Sequence, residues 1–171
     1  KRREQIQAEY AMEINSQTLE RHWLPFSDNR SFKREPRLFV RAEGMYYWSH
    51  DGRKILDGSS GLFTSAAGHC RPEIATAVGE QLRTLDFTSS FMRSHPGAFE
   101  LANQVAALTP TGLDHVFFCN SGSEAIDTAI KIAFAYHLAR NESQRTYLVS
   151  RERAYHGVNI GGTMAGGIPG N

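Results

Sequence analysis

The fold is decided by the stretch His115-Val-Phe-Phe-Cys-Asn-Ser-Gly-Ser-Glu-Ala-Ile-Asp-Thr-Ala-Ile-Lys131. Its apolar start, residues 115–119, predicts a buried strand, and the apolar spacing over residues 121–139 predicts a helix. The segment Arg145-Thr-Tyr-Leu-Val-Ser150 is a second candidate for a buried strand. Residues 115–150 are therefore expected to form a βαβ unit, in which the helix crosses over between two parallel strands. The pattern is typical of an α/β protein.

The junction between the first strand and the helix is suited to bind phosphate. A helix that opens directly after a strand leaves free backbone N–H groups at the positive end of its dipole. Ser121 and Ser123 can add hydroxyl donors, and Gly122 has no Cβ to keep an anion away from the backbone. The same residues also fit a capping box, in which Ser121 caps the helix and Glu124 reaches back. The two interpretations are compatible, and the spacing alone does not choose between them.

The second predicted strand favours the phosphate interpretation. Its carboxyl end leads into Tyr155-His156-Gly157. Because ligands gather at the carboxyl ends of parallel strands, an aromatic ring and an imidazole are expected near the helix start. On the helix itself, Lys131 is expected to be a solvated ion-pair partner of Asp127, four residues earlier.

Charge and cysteine content exclude several classes of protein. The 19 basic and 18 acidic residues nearly cancel, which leaves no electrostatic footprint for nucleic acid or an acidic membrane. Cys70 and Cys119 give no disulfide framework, and with no signal peptide or apolar run of membrane-spanning length a cytoplasmic location is expected. The histidines lack metal-ligand spacing, so no metal site is expected. At 171 residues the chain is long enough for one domain that buries roughly two thirds of its unfolded surface.

The rest of the chain reads as short elements joined by irregular loops. The predicted helices cover residues 1–21, 72–85 and 98–108, and the predicted strands cover residues 38–44, 45–48 and 54–57 as an antiparallel meander. Apolar spacing gives the second helix an inner face of Ile74, Val78, Leu82 and Leu85. Residues 58–69, 86–96 and the glycine-rich stretch 161–170 are expected to be loops. Trp23 and Phe26, beside a proline, are expected to plug the edge of a core or else to line a pocket.

Several short motifs, in their order and spacing, resemble the class III (omega-type) aminotransferases, which have fold type I and use pyridoxal phosphate (PLP). The motifs are Asn120-Ser-Gly-Ser-Glu-Ala125, Tyr155-His-Gly157, His22-Trp-Leu-Pro-Phe26, Asp51-Gly-Arg-Lys-Ile-Leu-Asp-Gly58, Ser60-Gly-Leu-Phe63, Ala67-Gly-His69 and Asn159-Ile-Gly-Gly162. Together they are most similar to the omega-amino acid–pyruvate (β-alanine–pyruvate) branch. The family's chains are more than twice as long, so the match covers only its N-terminal part.

The resemblance implies the α/β fold of a fold-type I PLP-dependent transferase. Residues 1–58 would be the N-terminal segment of the small domain, with its helix and meander. Residues 59–171 would be the first part of the large, mixed and mostly parallel sheet domain that binds PLP. The family implies a homodimer or a dimer of dimers with active sites at the interface, where some pocket aromatics come from the other subunit.

Roles carry over by position. Cofactor contacts would come from Ser121, Gly122 and Ser123 at the phosphate, from Tyr155 stacked on the pyridine ring, and from His156 and Gly157 beside it. The substrate pocket would be lined by Phe26, Leu62, Phe63 and Phe91. Phe63 stands where relatives usually carry tryptophan, which bears on the substrate range. No catalytic residue is assigned, because the Schiff-base lysine and the aspartate that pairs with the pyridine nitrogen are expected C-terminal to this segment.

The function implied is PLP-dependent transfer of an amino group from an omega-amino acid or amine of the β-alanine type to pyruvate. The partners would be a small amine donor and a keto acid, with no nucleic acid and no membrane. Two alternatives stay open. One is another class III PLP enzyme with a different amine donor, and the other is a non-catalytic fragment, without the Schiff-base lysine, that binds a partner.

Overall fold

The computed structural model of the chain describes residues 15–169. It divides into two compact units, the first ending at Thr88 and the second beginning at Ser89. The boundary expected at residues 58 and 59 concerns the domains of the complete family fold, and it stays a prediction.

Two short helices open the described part of the first unit. Helix α1 (Ser16–Glu20) starts after Asn15, whose side chain accepts hydrogen bonds from the N–H groups of Gln17 and Thr18. Because the backbone of Asn15 is extended, α1 begins there and does not continue an earlier helix. The helix predicted over residues 1–21 is therefore wrong at this point, and its part before residue 15 lies outside the described residues. Helix α2 (Asn29–Arg34), which the sequence analysis did not predict, begins after the cap Asp28.

The predicted meander is confirmed as a three-stranded antiparallel sheet. Its strands, in spatial order, are β1 (Phe39–Glu43), β2 (Tyr46–Ser49) and β3 (Lys54–Leu56). Tyr47 of β2 lies opposite Ala42 and Ile55, so it occupies the middle of the sheet. The turns contain Gly44 and Gly52, both in the left-handed region that glycine adopts at little cost.

The longer helices also follow the prediction. They are α3 (Pro72–Thr84) in the first unit, and α4 (Pro96–Ala106) and α5 (Gly122–Ala139) in the second. Both α3 and α4 carry proline in the first turn, where its missing N–H would have no helical partner. The second unit also contains α6 (Ile160–Ala165), so the expectation of a loop over the glycine-rich stretch is wrong for those residues.

The two predicted buried strands are wrong. Residues 115–119 and 145–150 belong to no strand, and Phe117 and Val149 are 72% and 97% exposed. A strand exists only where a second backbone completes its hydrogen-bonded ladder, and among the described residues neither segment has such a ladder. Helix α5 forms nevertheless, because its hydrogen bonds join residues four apart in its own sequence. The expected βαβ unit is thus absent from residues 15–169.

Many large apolar side chains are exposed to solvent in the described part of the chain. Among residues 15–169 no hydrophobic side chain is fully buried, which contradicts the expected core. The apolar spacing of α3 is present, but Ile74, Val78 and Leu82 are all exposed. Periodicity fixes which face of a helix is apolar, whereas burial requires another element to cover that face.

Candidate functional site

The start of α5 is capped by the residues that the sequence singled out. Ser121 has extended backbone, and its Oγ accepts a hydrogen bond from the N–H of Glu124 at 3.1 Å. The Glu124 carboxylate accepts from the N–H of Asn120 at 3.0 Å, one residue before the position that a standard capping box uses. The cap hypothesis is confirmed in this shifted form.

The same helix start retains donors for an anion. Within residues 15–169, the N–H groups of Gly122 and Ser123 have no hydrogen-bond partner. The Oγ atoms of Ser121 and Ser123 accept hydrogen bonds from Glu124 and Val158, and accepting leaves each hydroxyl proton free to donate. Two N–H groups and two hydroxyls are therefore available in the first turn of an 18-residue helix. This donor set suits a phosphate group.

The segment Tyr155-His156-Gly157 lies against this first turn of α5. The N–H of Val158 donates to Ser123 Oγ at 3.0 Å. Gly157 has φ of +109°, and a Cβ built on it would be 2.7 Å from Ser123 Oγ and 2.8 Å from Ser123 Cα. Only glycine fits this approach, since any larger residue would collide with the helix backbone. His156 Nε2 is 3.3 Å from the hydroxyl of Ser150, and Tyr155 is 62% exposed.

Asp127, which the sequence analysis treated as a surface residue, makes a second tie to this segment. Its Oδ1 accepts a hydrogen bond from the N–H of Gly162 at 3.0 Å, where α6 begins. A Cβ on Gly161 would be 2.8 Å from the same oxygen, and one on Gly162 would collide with the His156 carbonyl. The paired glycines thus permit close packing of α6 rather than a flexible loop. The expected pair of Asp127 with Lys131 is wrong: no ion pair joins them in the described residues.

A signal for Asp127 existed in the sequence. It follows Ser123 by four residues and therefore shares its helix face. Its partner lies 35 residues away, however, and no spacing rule connects the two.

The residues expected to line a substrate pocket are exposed. Phe26, Leu62, Phe63 and Phe91 are 85%, 73%, 84% and 89% exposed. Leu62 and Phe63 share one turn of the first unit, and Phe91 belongs to the second unit. The hypothesis that Trp23 and Phe26 plug a core edge is wrong for the described residues, because both are 85% exposed. Phe26 instead borders an open cavity of about 500 Å³ together with Phe32 and Arg37.

The turn that carries Leu62 and Phe63 has unusual backbone geometry. All four residues of Ser60–Phe63 have positive φ, between 51° and 70°, so they form a left-handed turn. Three of these residues are not glycine, and each costs about 1 kcal/mol or more in this conformation. Such strain persists only where the surroundings hold it.

Asp57, which follows β3, accepts several of the hydrogen bonds that keep the turn in this conformation. One of its carboxylate oxygens accepts from the N–H and hydroxyl of Ser59, both at 3.0 Å. The other accepts from the N–H of Gly61 and from His69 Nε2, both at 2.7 Å. The hydrogen bond from His69, supported by those from Ser59 and Gly61, lowers the pKa of Asp57 to about 2. Burial, and then the charge of Asp57, raises the pKa of the Tyr47 phenol.

Comparison with known proteins identifies the family. Residues 29–167 match the family Aminotransferase class-III, and the chain therefore belongs to the class III aminotransferases. Both the resemblance noted in the sequence and the α/β, fold-type I class expected from it are confirmed.

Individual relatives agree with this assignment. The chain is 51% identical, over 153 residues, to a β-alanine–pyruvate aminotransferase of Pseudomonas aeruginosa, with 90% of this chain and 34% of that protein covered. It is 48% identical to an omega-aminotransferase of Caulobacter vibrioides over 159 residues, covering 93% and 36%. A solved omega-transaminase of Pseudomonas jessenii in complex with PMP superimposes with a TM-score of 0.88 at 28% identity, covering 93% and 36%. The chain spans about a third of the length of the relatives it matches.

Two further observations concern the described residues alone. None of the helices in residues 15–169 combines the length and the apolar character that a membrane crossing requires. Over the same range, no three His, Cys, Asp or Glu side chains are grouped as ligands for a metal ion.

Proposed function

We propose that the full-length protein transfers an amino group from an omega-amino acid or amine of the β-alanine type to pyruvate, with PLP as cofactor. The proposal rests on family membership and on the 51% identity to a β-alanine–pyruvate aminotransferase. A homodimer or dimer of dimers in the cytoplasm, without nucleic acid or membrane partners, belongs to the same proposal.

The observation that carries the proposal is the free donor set at the start of α5. A phosphate carries its charge on several oxygens, each of which accepts hydrogen bonds. The N–H groups of Gly122 and Ser123 and the hydroxyls of Ser121 and Ser123 are available to those oxygens. The residues present therefore fit the phosphate end of PLP.

The remaining residues of the second unit would orient the ring. Tyr155 presents an exposed aromatic face without a ring partner among the described residues, which suits stacking on a pyridine. His156 and Gly157 lie beside it, and the bonds of Ser123 to Val158 and of Asp127 to Gly162 fix the segment against α5. When bound, PLP supplies an electron sink at the carbon that carries the amino group.

On the substrate side, Phe26, Leu62, Phe63 and Phe91 would line the pocket. All four side chains are exposed in this chain and are therefore free to contact a ligand or a second subunit. Phe63 in place of a larger tryptophan would leave more room for the amine donor.

The test is the visible absorption spectrum of the purified full-length protein, before and after β-alanine and then pyruvate. We expect a bound-cofactor band that disappears with β-alanine and returns with pyruvate. A band that β-alanine does not change would refute the amine assignment while leaving PLP binding in place. No band after incubation with PLP would refute the cofactor assignment.

A further inference from the structure

The first unit contains a partly buried polar cluster that the proposed function does not use. It consists of Asp57 at the end of β3, Tyr47 in the middle of β2, and His69 after the left-handed turn. The side chains of Asp57 and His69 are only 4% and 11% exposed, in a chain whose apolar side chains are mostly uncovered. A buried carboxylate is costly unless its oxygens are satisfied, so this arrangement calls for an explanation.

Both ends of the cluster are fixed to the sheet. The backbone of His69 exchanges two hydrogen bonds with Gly44, at 2.7 and 3.0 Å. The Tyr47 ring contacts the rings of both Phe39 and His69, with centroids 4.6 and 4.4 Å away. Contacts other than the one with Asp57 thus also hold the backbone and the ring of His69.

The cluster is linked to the turn Ser60–Phe63 by hydrogen bonds. An ionised Asp57 can only accept hydrogen bonds, so His69 Nε2 carries the proton that it donates. With its orientation set by His69, Asp57 accepts from Ser59 and from Gly61 inside the turn. The Tyr47 hydroxyl also lies close to the turn, since a Cβ on Gly61 would be 3.3 Å from it.

We propose that Asp57, His69 and Tyr47 are positioning residues that hold Ser60–Phe63 in its left-handed form and so set where Leu62 and Phe63 meet the amine donor. The proposal rests on the proposed function for the role of Leu62 and Phe63. None of the three residues needs to touch the substrate. Their effect is on which amine fits, because a left-handed turn that relaxes moves both side chains at once.

Variants of the full-length protein test this role. His69→Leu removes the donor to Asp57, whereas His69→Gln keeps an amide N–H near the place of Nε2. Glu142→Gln is the matched control, because Glu142 also pairs with an imidazole, that of His137 at 2.9 Å, but lies in the other unit. For each variant, kcat/KM is measured with β-alanine and with the bulkier 1-phenylethylamine, together with the KM for pyruvate and the content of bound PLP.

We expect His69→Leu to change the ratio of the two kcat/KM values by roughly tenfold, with PLP content unchanged. His69→Gln and Glu142→Gln should keep the wild-type ratio. In a Phe63→Ala background the effect of His69→Leu on the ratio should largely disappear, because a positioning residue acts through the side chain it positions. Equal loss of kcat/KM for both amines would overturn the proposal, as would a change of the ratio that persists in Phe63→Ala.

A second measurement is independent of activity. With 4-fluorophenylalanine at position 63, His69→Leu should shift or broaden the ¹⁹F resonance, whereas His69→Gln should leave it in place. An unchanged resonance in His69→Leu would refute the positioning role. If wild-type protein uses neither amine, the proposed function fails, and the ¹⁹F result alone decides whether the cluster holds the turn.

Discussion

Removing the hydroxyls of Ser121 and Ser123 should weaken the binding of PLP far more than the binding of pyridoxal, which lacks the phosphate. Both Oγ atoms already accept a backbone hydrogen bond, from Glu124 and Val158, and only their protons remain to be donated. The variants are Ser121→Ala, Ser123→Ala and the double replacement, made in the full-length protein. Ser143→Ala, in an exposed turn, is the control for loss of a hydroxyl as such.

The size of the effect follows from the charge of the phosphate. A hydrogen bond to a charged group contributes roughly 1.5–3 kcal/mol, which is about a 10- to 150-fold change in the dissociation constant. Because both hydroxyls would contact the same phosphate, their losses are not expected to add fully. We expect about a 100-fold weaker binding of PLP by the double variant, while the two free N–H groups continue to bind.

Ser121→Asp separates the cap from the phosphate contact. Aspartate is as good an N-cap as serine, so the thermal stability of the apoprotein should be kept, whereas Ser121→Ala should lose about 1 kcal/mol. The added carboxylate repels the phosphate, so PLP affinity should fall at least as far as in Ser121→Ala. Titrating the apoprotein with PLP and with pyridoxal, followed by absorbance, gives both dissociation constants. If PLP and pyridoxal lose affinity by the same factor, the hydroxyls do not contact the phosphate and Ser121 is only a cap.

Three other predictions concern contacts that each lie within a single unit. Gly157→Ala should destabilise the protein by about 1–3 kcal/mol in chemical unfolding, because residue 157 has a positive φ and lies against Ser123. The control Gly79→Ala, in α3, should instead stabilise the protein by about 0.5–1 kcal/mol, because the atom nearest to an added Cβ there is 3.9 Å away. A neutral Gly157→Ala would contradict the close approach. Asp127→Ala should lose the charge-assisted hydrogen bond from Gly162, which should reduce stability by about 1.5–3 kcal/mol and raise the dissociation constant for PLP. Lys131→Ala should change neither the stability nor the dissociation constant, and equal effects of the two variants would support an ion pair between Asp127 and Lys131. The pKa of Asp57 is lowered to about 2 by His69, from about 4 in an unfolded chain. The contribution of ionised Asp57 to stability is therefore complete above about pH 4 and is lost as the pH falls through about 2. The difference in unfolding free energy between wild type and Asp57→Asn should shrink between about pH 4 and pH 2, and a constant difference would be inconsistent with the hydrogen bonds to Asp57.

Local signals in the sequence were sufficient for the elements whose hydrogen bonds are local. The apolar spacing over residues 72–85 and over residues 121–139, and the short runs of the meander, each predicted an element that is present. The cap at Ser121 was predicted for the same reason, since its partner lies three residues away. The order and spacing of short motifs also gave the family.

Tertiary structure decided everything that depends on a distant partner. Residues 115–119 and 145–150 have the composition of strands, but a strand needs a neighbouring backbone, and composition does not supply one. The apolar face of α3 is likewise a property of its sequence, whereas its burial is not. Asp127 meets Gly162, and Gly157 meets Ser123, across about 35 residues, and His69 meets Asp57 across 12. The sequence by itself determined which residues place hydrogen-bond donors at the start of α5. Only the folded chain decided which backbone and which carboxylate hold those residues in place, because the contacts form between segments that no local rule relates.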